Sequence, residues 1–333
     1  MMPVRRSIHV LAGALLLASV TFALSTCGGI GGSQYSGGGT GGTGISTGAV
    51  TGYGSVVVND VHYNTNAKTK KISNGNDNSA AIDQDLFRVG MVVTIRYSPA
   101  DNNAREIEYR DNLEGPISSL SSLDNTFEVL GLTVVVDDRE AFAKLSPNDI
   151  VEVSGFVDSS GRIRATYIER KTQTPRPQDV YEVKGFVSGL STADNTFLLG
   201  LLPDGSVPVA PALRVTAISG LPEGLENGAY VQVTTNDTMP SGGRITGTQV
   251  GILPPRTDFP EKSIVDLEGL VNAPPSGSGK VLSFAVEGKT VRTEEATVFA
   301  GGKTAADIQR DAKVLVRGTE AGGVLSAINI IIR

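Results

Sequence analysis

The chain is poor in the residues that most enzyme and cofactor chemistry needs. Its 333 residues include one cysteine, two histidines and no tryptophan. One cysteine closes no internal disulfide, and with so little histidine there is no clustered Cys/His set for zinc. His9 lies in a leader-like segment, which leaves His62 for the folded body. It sits in an alternating run, Val58 to Tyr63, and reads as a surface strand residue. With no Gly-x-Ser-x-Gly elbow expected to serve it, no hydrolytic triad is expected. The lack of tryptophan removes the commonest platform for stacking on sugar rings. Aromatic residues are 5% of the chain and the net charge is −6, a poor match to a nucleic-acid groove, which pairs basic and stacking side chains. No segment after the leader is long and apolar enough to form a spanning helix.

What is present begins with an address. Arg5 and Arg6 precede an apolar run from Val10 to Leu24, the layout of a secretory signal over residues 1–26. Cys27 follows at once. The stretch Leu24-Ser25-Thr26-Cys27-Gly28 resembles the lipobox of bacterial lipoproteins, although Thr26 departs from the Gly, Ala or Ser usual before the cysteine. The resemblance implies lipid on Cys27 and a membrane partner through that lipid. Gly28 stands where an inner-membrane retention signal would have Asp, which favours the outer membrane in a cell that has two. The alternative is cleavage after Ala23-Leu24-Ser25, giving a soluble periplasmic or secreted protein. Residues 27–46, rich in Gly, Ser and Thr, read as a flexible tether.

The rest repeats itself. Leu120-Ser121-Ser122-Leu123-Asp124-Asn125-Thr126-Phe127 recurs as Leu190-Ser191-Thr192-Ala193-Asp194-Asn195-Thr196-Phe197. Asp-Asn between apolar runs is hairpin-turn chemistry. Four segments open with Gly, any residue, then Val or Ile: Gly48-Ala49-Val50, Gly115-Pro116-Ile117, Gly185-Phe186-Val187 and Gly269-Leu270-Val271. Each later has a turn residue followed by alternating aliphatics: Gly90 with Val93 and Ile95, Asn148 with Val151 and Val153, Gly228 with Val231 and Val233, Asp311 with Val314 and Val316. Period-two alternation buries one face of a strand. The expected domains are four β repeats over 47–111, 112–172, 180–252 and 263–333. Proline-rich joints at Thr174-Pro175-Arg176-Pro177 and Leu253-Pro254-Pro255-Arg256 are expected to stop sheets from continuing between repeats. The predicted fold is all-β: tandem small barrels of five to six strands each, similar to the oligonucleotide/oligosaccharide-binding (OB) barrel, with a connecting turn or short helix near 139–147; a sandwich-like unit is the alternative.

Thr51 to Asn59, the Gly-x-x-Val-x-Val strands and the Gly-x-Ile-x-Ala-x-x-Ile strands together resemble the bacterial repeats known as domain of unknown function 5666. The resemblance covers roughly 47–333, with departures around 201–211 and 272–279. It implies export and repetition, and assigns no activity or catalytic residue.

Other motifs carry less. Gly301-Gly302-Lys303-Thr304 ends like a phosphate-binding loop but has Thr297 where the first glycine belongs, so it reads as a turn. Asn74-Gly75-Asn76-Asp77-Asn78 and Asp101-Asn102-Asn103 are oxygen-rich but lack EF-hand spacing, and read as Asx turns. No catalytic, cofactor or metal residue is assigned. The expectation is a non-enzymatic, lipid-anchored envelope protein presenting its repeats to a protein or polysaccharide partner and not to nucleic acid. The alternative is a ligand-binding module for an oligosaccharide or peptide.

Overall fold

The computed structural model describes residues 43–52, 55–171, 176, 178–203, 212–238 and 242–333. Cys27, the signal and most of the tether lie outside them. The first strand begins at Gly44, three residues before the expected start of the first repeat.

The first barrel comprises β1 (Gly44–Gly52), β2 (Val56–Val58), β3 (Val61–Tyr63), β4 (Lys70–Ser73), β5 (Asn76–Asp77), a single helical turn α1 (Asp83–Leu86), β6 (Val92–Tyr97) and β7 (Ala104–Tyr109). The second has β8 (Leu113–Ser121), β9 (Thr126–Val129), β10 (Leu132–Val135), α2 (Arg139–Phe142), β11 (Ile150–Val157) and β12 (Ile163–Lys171). The third has β13 (Tyr181–Ser191), β14 (Thr196–Gly200), β15 (Leu213–Ala217), β16 (Tyr230–Thr235), β17 (Arg244–Gly247) and β18 (Gln249–Ile252). The fourth has β19 (Ile264–Ser278), β20 (Val281–Val286), β21 (Lys289–Arg292), β22 (Val298–Phe299), a 3-10 turn (Ala305–Asp307), β23 (Lys313–Ala321) and β24 (Val324–Ile332).

The second barrel shows the common plan. Its first strand, β8, pairs antiparallel with β9 and with the fourth strand, β11. The third strand, β10, pairs parallel with the fifth, β12, and β12 closes on β11. The fourth barrel repeats this through β19, β20, β21, β24 and β23, again with third and fifth strands parallel. In the third, the fifth strand is broken into β17 and β18. In the first, Asn64 bridges Asn103 where the third strand meets the fifth, and the β4–β5 hairpin is an addition on β7. These are OB-like barrels, with the helix before the fourth strand capped by Asp138 in the second repeat.

Local chemistry explains the recurrence. Val93, Ile95, Val151, Val153, Val231, Val233, Val314 and Val316 are all fully buried, so the alternation read in sequence is the inner face of each fourth strand. The turn residue before it has positive φ every time: Gly90 94°, Asn148 67°, Gly228 89°, Asp311 63°. Glycine, Asn and Asp are the residues that reach this region at low cost. Asn125 and Asn195, in the repeated Asp-Asn hairpins, both sit at 51°.

The barrels are not independent beads. β1 pairs in parallel with β19, from Gly44 against Ile264 to Thr47 against Leu267. β8 pairs antiparallel with β13 at Leu113 against Val183 and Glu114 against Glu182. The first and fourth barrels thus share one sheet and the second and third another, which corrects the expectation for the second and third repeats, whereas the third and fourth, on either side of the Leu253–Arg256 joint, do lie in different sheets. The shared sheets are continuous through the opening strands of the repeats. The second and third barrels also share a continuous apolar core. The two sheets meet at Ala49, Val92, Phe156 and Leu270.

Candidate functional site

The chemistry of the chain concentrates where barrels meet. In three repeats the tip of the second hairpin folds over the opening glycine of the first strand. A Cβ on Gly48 would lie 2.5 Å from Asn59 Oδ1, one on Gly115 3.1 Å from Leu130 Cγ, and one on Gly269 2.4 Å from Glu287 Cγ. The glycine makes room for the tip residue, whose φ is positive in each case. Leu130 fills its slot with apolar contacts. Asn59 and Glu287 reach a neighbouring barrel instead. Asn59 Nδ2 donates to Ser46 Oγ at 3.0 Å and Thr47 O at 3.2 Å, and approaches Asp266 O of the fourth barrel at 3.5 Å. Glu287 accepts from Leu270 N at 3.1 Å and, across the boundary, from Val157 N of the second barrel at 3.2 Å.

A buried charge network joins the first three barrels. Lys184 on β13 is fully buried and its ammonium contacts both Asp111 and Glu182. Asp111 also accepts from Asn74 Nδ2 at 3.0 Å. Lys171 on β12 bonds Glu152 at 2.9 Å and Glu169 at 3.0 Å. The Tyr109 hydroxyl, from the first barrel, donates to Glu152 at 2.7 Å. Burial opposes charge on Lys184, but the Asp111 and Glu182 carboxylates outweigh it and raise its pKa. Burial pushes Asp111 up to about 7 against the pull of Lys184. Burial thus sets the direction at Asp111, and the two carboxylates set it at Lys184. Asp111, Glu114 and Glu152 place oxygens within 4.8 Å of one another, the spacing of a cation site. Each of the three is paired with a lysine, Asp111 with Lys184 and Glu152 and Glu114 with Lys171, so the arrangement is an ion-pair network.

A cavity of about 40 Å³ lies at the junction of all four barrels. Thr47 and Val92 line it from the first, Asn112 and Phe156 from the second, Lys184 and Tyr230 from the third, Glu268 and Glu287 from the fourth. Arg256, on the segment joining the third and fourth barrels, completes the wall. Burial raises Glu287 to about 7, partly offset by its two backbone donors and by Arg256. Glu268 is fully buried and binds Arg333 Nη1 at 2.8 Å, Lys313 Nζ at 3.2 Å and Ala49 N at 3.0 Å.

Residues singled out in the sequence take other places. His62 is exposed on β3, with Nδ1 2.9 Å from Ser55 Oγ. The Gly-x-Ser-x-Gly spacing, contrary to expectation, does occur once, at Gly44-Ile45-Ser46-Thr47-Gly48. It lies in extended β1, not in a strand-to-helix elbow, and Ser46 is fully buried beside Asn59. Asp77 accepts from Ser79 N at 2.9 Å and Asp101 from Asn103 N at 3.1 Å, the Asx turns expected. Gly301 and Gly302 turn the chain with φ of 67° and 73°, as expected of a loop. Arg162 pairs with Asp158, Arg164 with Asp137, Lys70 with Glu106 and Lys71 with Asp83. Cys27 and the joint at Thr174 and Pro175 lie outside the described residues. Lys184, Asp111, Glu287 and Arg256 were missed. A usable signal existed for Glu287 alone: Glu287-Gly288 is a turn pair following an alternating strand.

The sequence profile of the family described as "Domain of unknown function (DUF5666)" matches residues 45–108, 114–169 and 268–331. These are the first, second and fourth barrels and more than half of the chain, so the protein belongs to this family. The third barrel follows the same plan with a broken fifth strand and falls outside the matched regions. No curated protein matches the sequence.

Proposed function

We propose that the chain is a non-enzymatic protein of the bacterial cell envelope, tethered by lipid on Cys27, whose linked barrels form a stiff platform for a protein or envelope-polymer partner. One observation carries this reading: the buried Lys184–Asp111 pair and the bonds of Tyr109 to Glu152 and of Ala49 to Glu268 each join one barrel to another. Lys184 and Glu268 each hold a partner across a barrel boundary, and Lys171 ties two strands of the second barrel together beside Tyr109 of the first. A hydrolase would instead keep such groups free in a cleft for its substrate. The recurring cations are paired with acids, which argues against a phosphate-binding stripe. No described helix is long and apolar enough to cross a membrane, so the lipid is the proposed attachment.

In-cell crosslinking of the tagged protein, with identification of what it captures, tests the platform reading. Reproducible capture of an envelope protein or polymer supports it, and hydrolysis of a captured polymer by the purified chain would replace it. Cys27→Ala is expected to release the protein from membranes. An unmodified mature terminus at Thr26 would defeat the anchoring.

A further inference from the structure

Arg256 stands between two spaces. On one side is the small cavity at the four-barrel junction. On the other is a groove of about 260 Å³ between the 254–260 segment and the first barrel, lined also by Arg96, Glu108, Arg110 and Asp258. Arg96 is engaged by Glu106 at 3.3 Å, and Arg110 by Glu108 at 2.6 Å and Pro254 O at 2.5 Å. Lys184, the other cation of the junction, is taken up by Asp111 and Glu182. Arg256 differs. Its Nη2 makes a long contact of 3.4 Å to Gly155 O. Its Nη1 is buried and has no hydrogen-bond partner among the described residues. Glu287 is the acid that offsets its charge, yet both Glu287 oxygens are engaged by backbone N–H groups.

A buried guanidinium N–H without an acceptor is costly, because the group loses its hydration and gains nothing in return. Such a group calls for an acceptor that the protein itself does not supply. The geometry points to an oxyanion site at Arg256, taking a carboxylate or phosphate group whose remaining body lies in the groove beside Arg96 and Arg110. The planar fork of Arg matches such oxygens in pairs. Exposed Asp258 at the groove disfavours a second negative charge there, so the preferred ligand has one anionic head on a neutral body. This goes beyond the platform reading and does not rest on it.

The test uses the full chain, titrated separately with inorganic phosphate and with a uronic-acid disaccharide, followed by calorimetry and by the rise in Tm. Saturable binding at millimolar concentration or tighter is expected. It should weaken at least tenfold in Arg256→Gln and be partly kept in Arg256→Lys. Tighter binding of the disaccharide than of phosphate assigns the anion to a saccharide. The reverse order assigns it to the free ion. Without ligand, Arg256→Gln should be no less stable than the parent, since it removes an unpaired buried donor. Crystals soaked in selenate should show the anion at Arg256 in the parent chain. Absence of saturable binding by either probe, or binding unchanged in Arg256→Gln, overturns the proposal. Failure of crosslinking to find a partner would bear on the platform alone.

Discussion

The Lys184 ammonium on the third barrel is enclosed by the Asp111 carboxylate, which follows the last strand of the first barrel. Neither side chain has more than a trace of solvent contact. Removing one partner leaves a buried charge uncompensated. Lys184→Ala is therefore expected to cost about 3–5 kcal/mol in urea denaturation. The double variant Lys184→Met with Asp111→Asn should recover part of that loss. A single-variant cost under about 1 kcal/mol would show that water reaches the pair.

Gly90 and Gly228 occupy the same position in their repeats, and both have positive φ. Alanine at either incurs a left-handed backbone cost of about 1 kcal/mol. At Gly90 the new Cβ would also fall 2.1 Å from Thr166 O of the second barrel, whereas at Gly228 it meets nothing within 4 Å. Gly90→Ala should thus lower thermal stability by at least twice as much as Gly228→Ala. Gly228→Asn should be milder than Gly228→Ala, since Asn148 fills the matching place in the second repeat.

Glu287 supplies a pH signature. Its folded pKa of about 7 lies above the ordinary value of about 4.3, so the folded chain holds the proton more tightly than the unfolded one. The resulting stability is complete below pH ~4.3 and is lost as pH rises through 7. Its size is roughly 2 kcal/mol, allowing for solvent that reaches the side-chain stem. Glu287→Gln should flatten the stability profile between these limits whatever its absolute stability. Equal slopes in parent and variant would count against an enclosed carboxylate.

Tyr109 donates to Glu152 across the boundary between the first and second barrels. Tyr109→Phe keeps the ring in the first core and deletes the donor. The expected cost is about 1.5–3 kcal/mol, the range for a bond to a charged acceptor, measured by urea titration.

Much of each barrel was legible in the sequence because its determinants are local. The alternation of Val151 and Val153, or of Val314 and Val316, is visible at a glance and became the inner face of a strand. The turn residues ahead of them, Asn148 and Asp311, announced positive φ by their chemistry. The pairing of barrels was not legible. Gly44 meets Ile264 because of the way finished barrels dock, and no short-range pattern encodes that. The same holds for the junction. Among 35 acidic residues nothing local marks Asp111 or Glu287 as enclosed, since their burial comes from barrels distant in sequence.

The parallel pairing of β1 with β19 leads to an expectation about the order of assembly. The opening strand of the first barrel has its lateral neighbour in the last repeat. The second and third barrels, joined through β8 and β13, find each other between consecutive repeats. A chain delivered amino end first therefore completes its middle before its flanks. Until the fourth repeat arrives, β1 holds an unpaired edge, the kind of surface on which strands of other molecules add. Slowing the arrival of the last repeat is expected to raise aggregation, measured by light scattering during refolding, because that edge then stays open longer.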